Sequence, residues 1–215
     1  MMMTQQLEHL VDRYVDAKEV IINEGFESEL DWQRELDFTN SRESDFLREA
    51  AWVILSSGMR ESTIRMKFPE ITSAFLGFNN ATDIIANVNK CRADAMESFG
   101  HIGKIDAIIS MAFRIVIDGF ETIKNLTSHY GVKYLQSFDF IGPTTSYHLA
   151  KNLGLNVSKP DRHLCRVAKV SGFDSVAELC EKISKITGDS VPVVDLVIWR
   201  FATIRSDYLL WFSMK

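Results

Sequence analysis

The sequence predicts an all-α protein. Apolar residues recur at helical spacing in one stretch after another, most clearly over 104–118, where Ile105, Ile108 and Ala112 share one face. Glycine, proline and short polar residues separate these stretches at close intervals, as they do between helices. No stretch shows sustained alternation of apolar and polar residues, so we expect no β-strand.

Composition places the chain among ordinary globular proteins. Of its 215 residues, 46% are hydrophobic and 25% are charged, enough for one good core or two small lobes. No apolar run reaches the length of about 18 residues that a membrane span requires, and no signal peptide is recognisable. We therefore expect a cytoplasmic protein with no membrane partner, and the sequence leaves its oligomeric state open.

The cysteine pattern disfavours metal sites and disulfide frameworks. Cys91, Cys165 and Cys180 form no Cys-x-x-Cys pair, and an odd number of widely spaced cysteines is typical of reduced intracellular thiols. His148 and His163 occupy helical positions, where a lone histidine is more often structural than a ligand. We expect no metal ion.

The charge is distributed unevenly along the chain. The net charge of −5 disfavours a nonspecific nucleic-acid binder, for which a basic footprint is typical. Acidic residues concentrate over 24–45. The stretch 151–169 has the opposite character, because it contains one acid, Asp161, against five basic residues: Lys151, Lys159, Arg162, Arg166 and Lys169. We expect an anionic partner on this side of the molecule.

Each element is predicted from its apolar stripe and its breaks. A helix over 4–23 is followed by an acidic connection, 24–44, that contains one short helix. Ser44 or Asp45 is expected to cap the next helix. In the one after it, Pro69 is expected either to interrupt the helix or to lie where the chain re-enters it before Phe75. The remaining helices are predicted over 46–57, 61–68, 81–91, 92–97, 104–118, 121–130, 176–187 and 193–204. The aromatic tail after them is expected to pack back on the body.

The stretch 136–167 contains a tight turn between two helices. Gly142 and Pro143 follow an apolar segment, and we expect a positive φ at the glycine and the first helical position at the proline. Thr144, Thr145 and the next residue, a serine, then place backbone N–H groups and hydroxyls at a helix N-terminus, which favours anion binding. A second helix opens with Asp161, a carboxylate in the first turn.

These residues resemble a known family. FIGPTTSYHLAKNLGL followed by KPDRHLCRV is similar to the helix-hairpin-helix and catalytic-aspartate segment of the endonuclease III (HhH-GPD) superfamily of DNA glycosylases. AWVILSSGMR, residues 51–60, is similar to the family helix whose following loop enters the DNA. HIGKIDAIISM, residues 101–111, together with FDFIGPTT resembles 3-methyladenine DNA glycosylase I. The resemblance covers residues 46 to 205, approximately.

The resemblance implies two helical lobes with a DNA cleft between them and double-stranded DNA as the partner. Residues 44–155 would form the central lobe with the hairpin, and 1–43 plus 156–215 the lobe built from both termini. Carbonyls of the turn can hold a monovalent cation in this family. No other cofactor is expected, since the C-terminal cysteines that hold an iron–sulfur cluster in many relatives are absent here.

Three sets of residues receive roles from the resemblance. Asp161 is the candidate catalytic carboxylate; the alternative is that it only supports the helix start. The hairpin, which could instead be an ordinary corner between helices, has four candidate DNA-binding residues: Phe140, Gly142, Thr144 and Thr145. A wedge that replaces a flipped base is expected in the loop 57–60, which ends the buried helix, and a simple helix break is the alternative. The candidates for this wedge are Met59 and Arg60.

Thr144 distinguishes this chain from bifunctional relatives, which have a lysine at that position to attack the sugar. We therefore expect a monofunctional base-excision repair enzyme without β-lyase activity, although Lys151 and Lys159 are nearby amines. An alkylated purine is the first substrate predicted. An oxidised purine is second, because Asp161-Arg162-His163 also resembles archaeal-type 8-oxoguanine glycosylases. A non-catalytic DNA-binding module and a protein–protein adaptor are the alternatives of other classes.

Overall fold

The computed structural model describes residues 2–213, and within that range it contains helices and turns but no strand, which confirms the all-α prediction. The α-helices, in chain order, are α1 (Met2–Ile21), α2 (Glu27–Glu35), α3 (Glu43–Ser56), α4 (Glu61–Ala74), α5 (Ala81–Ala86), α6 (Val88–Ser98), α7 (Ile102–Asp118), α8 (Phe120–Tyr130), α9 (Val132–Leu135), α10 (Pro143–Asn152), α11 (Arg162–Val170), α12 (Val176–Thr187), α13 (Val191–Ile204) and α14 (Tyr208–Trp211). A π-helical turn, Ile22–Phe26, and two 3₁₀ turns, Phe38–Asn40 and Leu76–Phe78, complete the set.

The helices form two compact units. The central unit runs from Asp37 to Leu153, and the terminal unit combines the chain up to Leu36 with the chain from Gly154 onward. The central lobe predicted over 44–155 begins seven residues after the central unit begins and ends two residues after it ends.

The central unit is built on α3 and α7. Both helices are apolar over most of their length, and Ile54 on α3 and Ile105 and Ala112 on α7 are fully buried. Aromatic rings extend this core: Phe46 meets the edge of Phe138 at 5.8 Å between ring centroids. Burying large aromatic and branched side chains is the main favourable term in folding, so these two helices fix the frame on which the hairpin rests.

The terminal unit surrounds α13, which is buried at every residue from Val191 to Ile198. Helix α1 packs against it with a stripe that includes Leu10 and Tyr14. The aromatic tail packs on the same unit, as expected. Phe212 is buried, and the Trp211 indole donates to the Arg13 carbonyl at 3.0 Å.

Two local details differ from the simplest expectation. Pro69 does not interrupt its helix, because α4 continues to Ala74, which agrees with the alternative that the chain is helical again before Phe75. The preceding Phe68 packs edge-on against Trp52 at 5.1 Å between ring centroids, and this contact stabilises the helix where the N–H of Pro69 is missing. The cap of α3 also differs. Asp45 lies inside the helix and accepts from the backbone N–H of Arg42 at 3.0 Å, so it stabilises the start from within.

No described helix combines the length and the apolar character needed to cross a membrane. Cys91 and Cys180 are buried and Cys165 is exposed, all three as free thiols.

Candidate functional site

The hairpin turn joins α9 to α10 and is anchored by its apolar residues. Phe138 and Ile141 are buried, and the Ile141 N–H donates to the Phe138 carbonyl at 3.1 Å. Arg114 on α7 holds the segment from outside: its guanidinium lies 4.3 Å from the centroid of the Phe138 ring and donates to the Ser137 carbonyl at 3.0 Å. The turn is therefore fixed on both sides before α10 begins.

The left-handed residue of this turn is Phe140, not the glycine. Phe140 has a φ of 61°, whereas Gly142 is extended, with φ −90° and ψ −170°. The expectation of a positive φ at Gly142 was wrong. The Phe140 ring contributes to holding this conformation, because it meets the His101 ring edge-on at 5.9 Å and a methyl group at Gly103 would lie 3.4 Å from its Cζ.

Gly142 has room for a side chain within the protein. The nearest atom that a methyl group on Gly142 would meet is the Thr145 Oγ1, at 3.9 Å. Neither backbone conformation nor internal crowding therefore requires a glycine here. A ligand that approaches the backbone closely would require one.

The two threonines of the turn have different surroundings. The Thr145 hydroxyl accepts from the Gly142 N–H at 2.6 Å, so it is part of the turn. Thr144 is exposed. Within residues 2–213, no acceptor is present for the backbone N–H groups of Thr144 and Thr145, which lie at the N-terminus of α10. Free N–H groups and the helix dipole together favour an anion at this point.

The carbonyls of the same turn are partly occupied. The Phe140 and Gly142 carbonyls each lie 3.3 Å from the Thr145 hydroxyl, and the Gly142 carbonyl also accepts from the Ser146 N–H at 2.9 Å. The monovalent cation expected at these carbonyls stays a prediction.

An open concavity of about 460 Å³ lies over the hairpin. It is lined by the residues of the turn from Phe140 to Thr145 and by Ser57, the C-cap of α3. The structure therefore brings the hairpin together with the start of the loop that contains the candidate wedge. In that loop, Met59 is 43% exposed and Arg60 is exposed, and both keep the wedge role as a prediction.

Lys104 on α7 is a residue of this site that the sequence reasoning missed. Its side chain is 3% exposed, and its ammonium donates to the Leu55 carbonyl at 2.7 Å and the Ser57 carbonyl at 2.5 Å. Burial lowers the pKa of Lys104 below its ordinary value. A cation at the C-terminus of α3 neutralises the helix dipole and fixes the start of the loop. The signal available in the sequence was its place on the face of α7 that Ile105 and Ile108 share.

Asp161 lies in the terminal unit, at the N-cap of α11. Its Oδ1 accepts from the backbone N–H groups of His163 at 2.8 Å and Leu164 at 3.0 Å. The side chain is half-buried, and among residues 2–213 no hydrogen bond or ion pair is present at its Oδ2. One oxygen therefore holds the carboxylate in a fixed orientation, and the other keeps its lone pairs for a ligand.

The residues that precede Asp161 in the chain are fixed by a hydrogen bond to a second aspartate, Asp195, which the sequence did not indicate. Asp195 on α13 is 1% exposed, and its Oδ2 accepts from the Lys159 N–H at 2.6 Å. The Asp161 N–H in turn donates to the Lys159 carbonyl at 2.8 Å. A buried carboxylate thus fixes the entry to α11, since leaving such a group without donors is costly.

His163 is held in place beside Asp161. Its Nδ1 lies 3.2 Å from the Tyr208 hydroxyl, and Arg162 donates from Nε to its Nε2 at 3.2 Å. Burial lowers the pKa of His163, and the neighbouring Arg162 and Arg166 lower it further against the opposing effect of Asp161. Within the described residues, no group of three or more His, Cys, Asp and Glu side chains is arranged to hold a metal ion.

Comparison with solved structures finds this fold in the crystal structure of the Methanocaldococcus jannaschii 8-oxoguanine glycosylase/lyase in complex with a 15mer DNA containing 8-oxoguanine. The two share 18% sequence identity with a TM-score of 0.60, over 91% of this chain and 98% of that chain. A scan against family models and a search of curated proteins find no match. The similarity to 3-methyladenine DNA glycosylase I stays a prediction. At this identity the match demonstrates a common fold, which agrees with the predicted fold class.

Proposed function

We propose that this protein is a DNA glycosylase that hydrolyses the N-glycosidic bond of a damaged base, with Asp161 as its catalytic carboxylate. The observation on which this rests is the geometry of Asp161, whose Oδ1 is fixed by two backbone N–H groups while its Oδ2 is open. When the base leaves, positive charge develops on the deoxyribose. A carboxylate already oriented by the fold stabilises that charge without reorganising.

The hairpin supplies the DNA-binding half of the proposal. The N–H groups of Thr144 and Thr145 and the close approach available at Gly142 suit a backbone phosphate of double-stranded DNA. Met59 or Arg60 would occupy the space of an extruded base, because the target bond is inaccessible within a stacked duplex. The predicted DNA cleft belongs to this proposal.

The proposed enzyme is monofunctional and uses water. Thr144 has no amine to attack the sugar. Lys151 is 6% exposed and Lys159 is half-buried, and both have partners in the structure, so neither is a solvated surface amine. Trapping with borohydride on a duplex that contains an abasic site tests this point: a covalent protein–DNA adduct would refute it.

The first substrate proposed is an alkylated purine, from the local resemblance to 3-methyladenine DNA glycosylase I. 8-Oxoguanine is the second, and the structural neighbour favours it, since that protein is an 8-oxoguanine glycosylase/lyase. The neighbour is named a glycosylase/lyase, whereas the enzyme proposed here is monofunctional because it has Thr144. A test of lyase activity therefore shows how far the comparison with that neighbour extends.

The decisive experiment incubates the protein with duplexes that each contain a single alkylated or oxidised base and then cleaves the resulting abasic products with alkali. Strand breaks that depend on the wild type and disappear with Asp161→Asn would support the enzyme. DNA binding without any break would indicate a non-catalytic module instead. Absence of DNA binding at low salt would indicate the protein–protein adaptor.

A further inference from the structure

The exposed face of α11 contains three basic side chains in a row. Arg162, Arg166 and Lys169 follow one another at spacings of four and three residues, so they lie on one side of the helix, and all three are exposed. The opposite side is buried through residues that include Leu164 and Val167. We call these three residues the α11 basic face.

The α11 basic face differs from most of the arginines of this chain in its pairing. Among the described residues, carboxylates hold guanidinium groups in the ion pairs Arg34–Asp31, Arg42–Asp45, Arg65–Glu61, Arg92–Asp106, Arg114–Asp118, Arg200–Glu29 and Arg205–Asp207. Among residues 2–213, Arg166 and Lys169 have no ion pair or hydrogen bond from their side chains, and Arg162 bonds only the ring of His163. The positive charge of this face is therefore not neutralised locally.

Only some of the basic residues in the stretch 151–169 are exposed in the structure. Lys151 is buried and Lys159 is half-buried with a partner, so these two do not contribute solvated charge to the face. Three of the five basic residues over 151–169 thus remain available to an anionic partner.

We infer that the α11 basic face binds successive phosphates of one strand of the DNA, an inference that rests on the proposed function. From Arg162 to Lys169 the helix rises about 10 Å at 1.5 Å per residue, which is the rise of about three base pairs along the duplex axis at 3.4 Å each. Asp161 caps the same helix. Phosphate contacts on this face therefore set the register of the Asp161 carboxylate along the strand.

The test compares two double variants with the wild type in binding to an undamaged duplex between 50 and about 200 mM salt. Arg166→Gln with Lys169→Gln removes two charges of the face. Lys182→Gln with Lys185→Gln removes two exposed charges from α12 in the same unit and is the matched control. Each phosphate contact contributes about 0.9 to the slope of log affinity against log salt, so the first variant should lower the slope by about 1.8 and the control should leave it unchanged.

Equal slopes in the wild type and the first variant would overturn the inference, and so would failure of the wild type to bind the duplex at 50 mM salt. Arg166→Lys with Lys169→Arg should restore the wild-type slope. Base excision is measured separately on the lesion duplexes. If the first variant lowers the slope but the wild type excises no base, the α11 basic face is supported and the glycosylase is refuted. If the wild type excises a base but the slope does not change in the first variant, the glycosylase is supported and the inference about the α11 basic face is refuted.

Discussion

Asp161 has two separable roles in this structure, and two substitutions distinguish them. As an N-cap it satisfies the N–H groups of His163 and Leu164 through Oδ1. As the proposed catalytic group it offers a negative charge through Oδ2. An asparagine at this position would keep the capping oxygen and lose the charge, so Asp161→Asn tests the second role, while Asp161→Ala removes both.

The expected magnitudes differ for the two roles. Replacing a capping aspartate by alanine costs about 1 kcal/mol, and losing its charge at the helix N-terminus costs about 0.5 kcal/mol more. For a chain of this size, that sum corresponds to a fall in melting temperature of about 3–6 °C for Asp161→Ala. Asp161→Asn loses only the charge and should fall by about 1–2 °C. Both variants should lose at least about 100-fold in the rate of base release.

The assay combines thermal unfolding with single-turnover base release on the same preparations. If the carboxylate is catalytic, the two variants will be equally inactive but unequally stable. If Asp161 only supports α11, activity will follow stability, and Asp161→Asn will release the base at nearly the wild-type rate. That second outcome would refute the catalytic assignment.

Three further perturbations follow from buried or strained groups. Burial raises the pKa of the Glu49 carboxyl on α3 from its ordinary value of 4.5 to about 7. The folded state therefore binds the carboxyl proton more tightly than the unfolded state, and the protein loses stability as pH rises from about 5 to 7. Glu49→Gln should remove that loss in melting curves. Lys104→Met should raise the rate of tryptic cleavage after Arg60 about tenfold, because the C-terminus of α3 loses its cation. Phe140→Val should lower the free energy of unfolding by about 1 kcal/mol, since a β-branched residue fits a positive φ poorly.

Each of these has a control. Glu70→Gln changes an exposed glutamate on α4 and should leave the pH dependence intact, and a Glu49→Gln curve parallel to the wild type would contradict the first prediction. Lys104→Arg should keep the loop protected from trypsin; equal cleavage in all three proteins would contradict the second. Phe140→Asn tolerates a positive φ, so it should be more stable than Phe140→Val if backbone strain decides the third.

The helices were predictable because their apolar stripes and breaks are local signals. Helix α7 follows directly from the spacing of Ile105, Ile108 and Ala112, and the helix that Asp161 opens follows from a carboxylate placed just before an apolar stripe. The first half of α4 was predicted as well, but its unbroken course through Pro69 was not, because the local effect of the proline is opposed by the packing of Phe68 against Trp52 on another helix.

The residues that stabilise the site through contacts distant in sequence were not predictable either. Lys104 and Asp195 act on backbone groups 36 or more residues away, and nothing in their immediate sequence marks a buried charge. The positive φ at Phe140 follows from the position of its ring against Gly103 and His101, which only the folded chain brings together. The sequence therefore predicted the tight turn between the two helices at the right place, but it assigned the positive φ to Gly142 when Phe140 has it.

A net charge of −5 is compatible with a DNA-binding face because electrostatic effects in salt water are local. Pairs such as Arg65–Glu61 and Lys90–Asp94 cancel within one helical turn, so they contribute little field at a distance. At physiological salt, exposed charges farther apart than about 8 Å are largely screened from one another. The field that a phosphate meets at α11 is therefore set by the unpaired charges of that face and by Asp161. The total charge of the chain, which first argued against nucleic acid, carries little information about that surface.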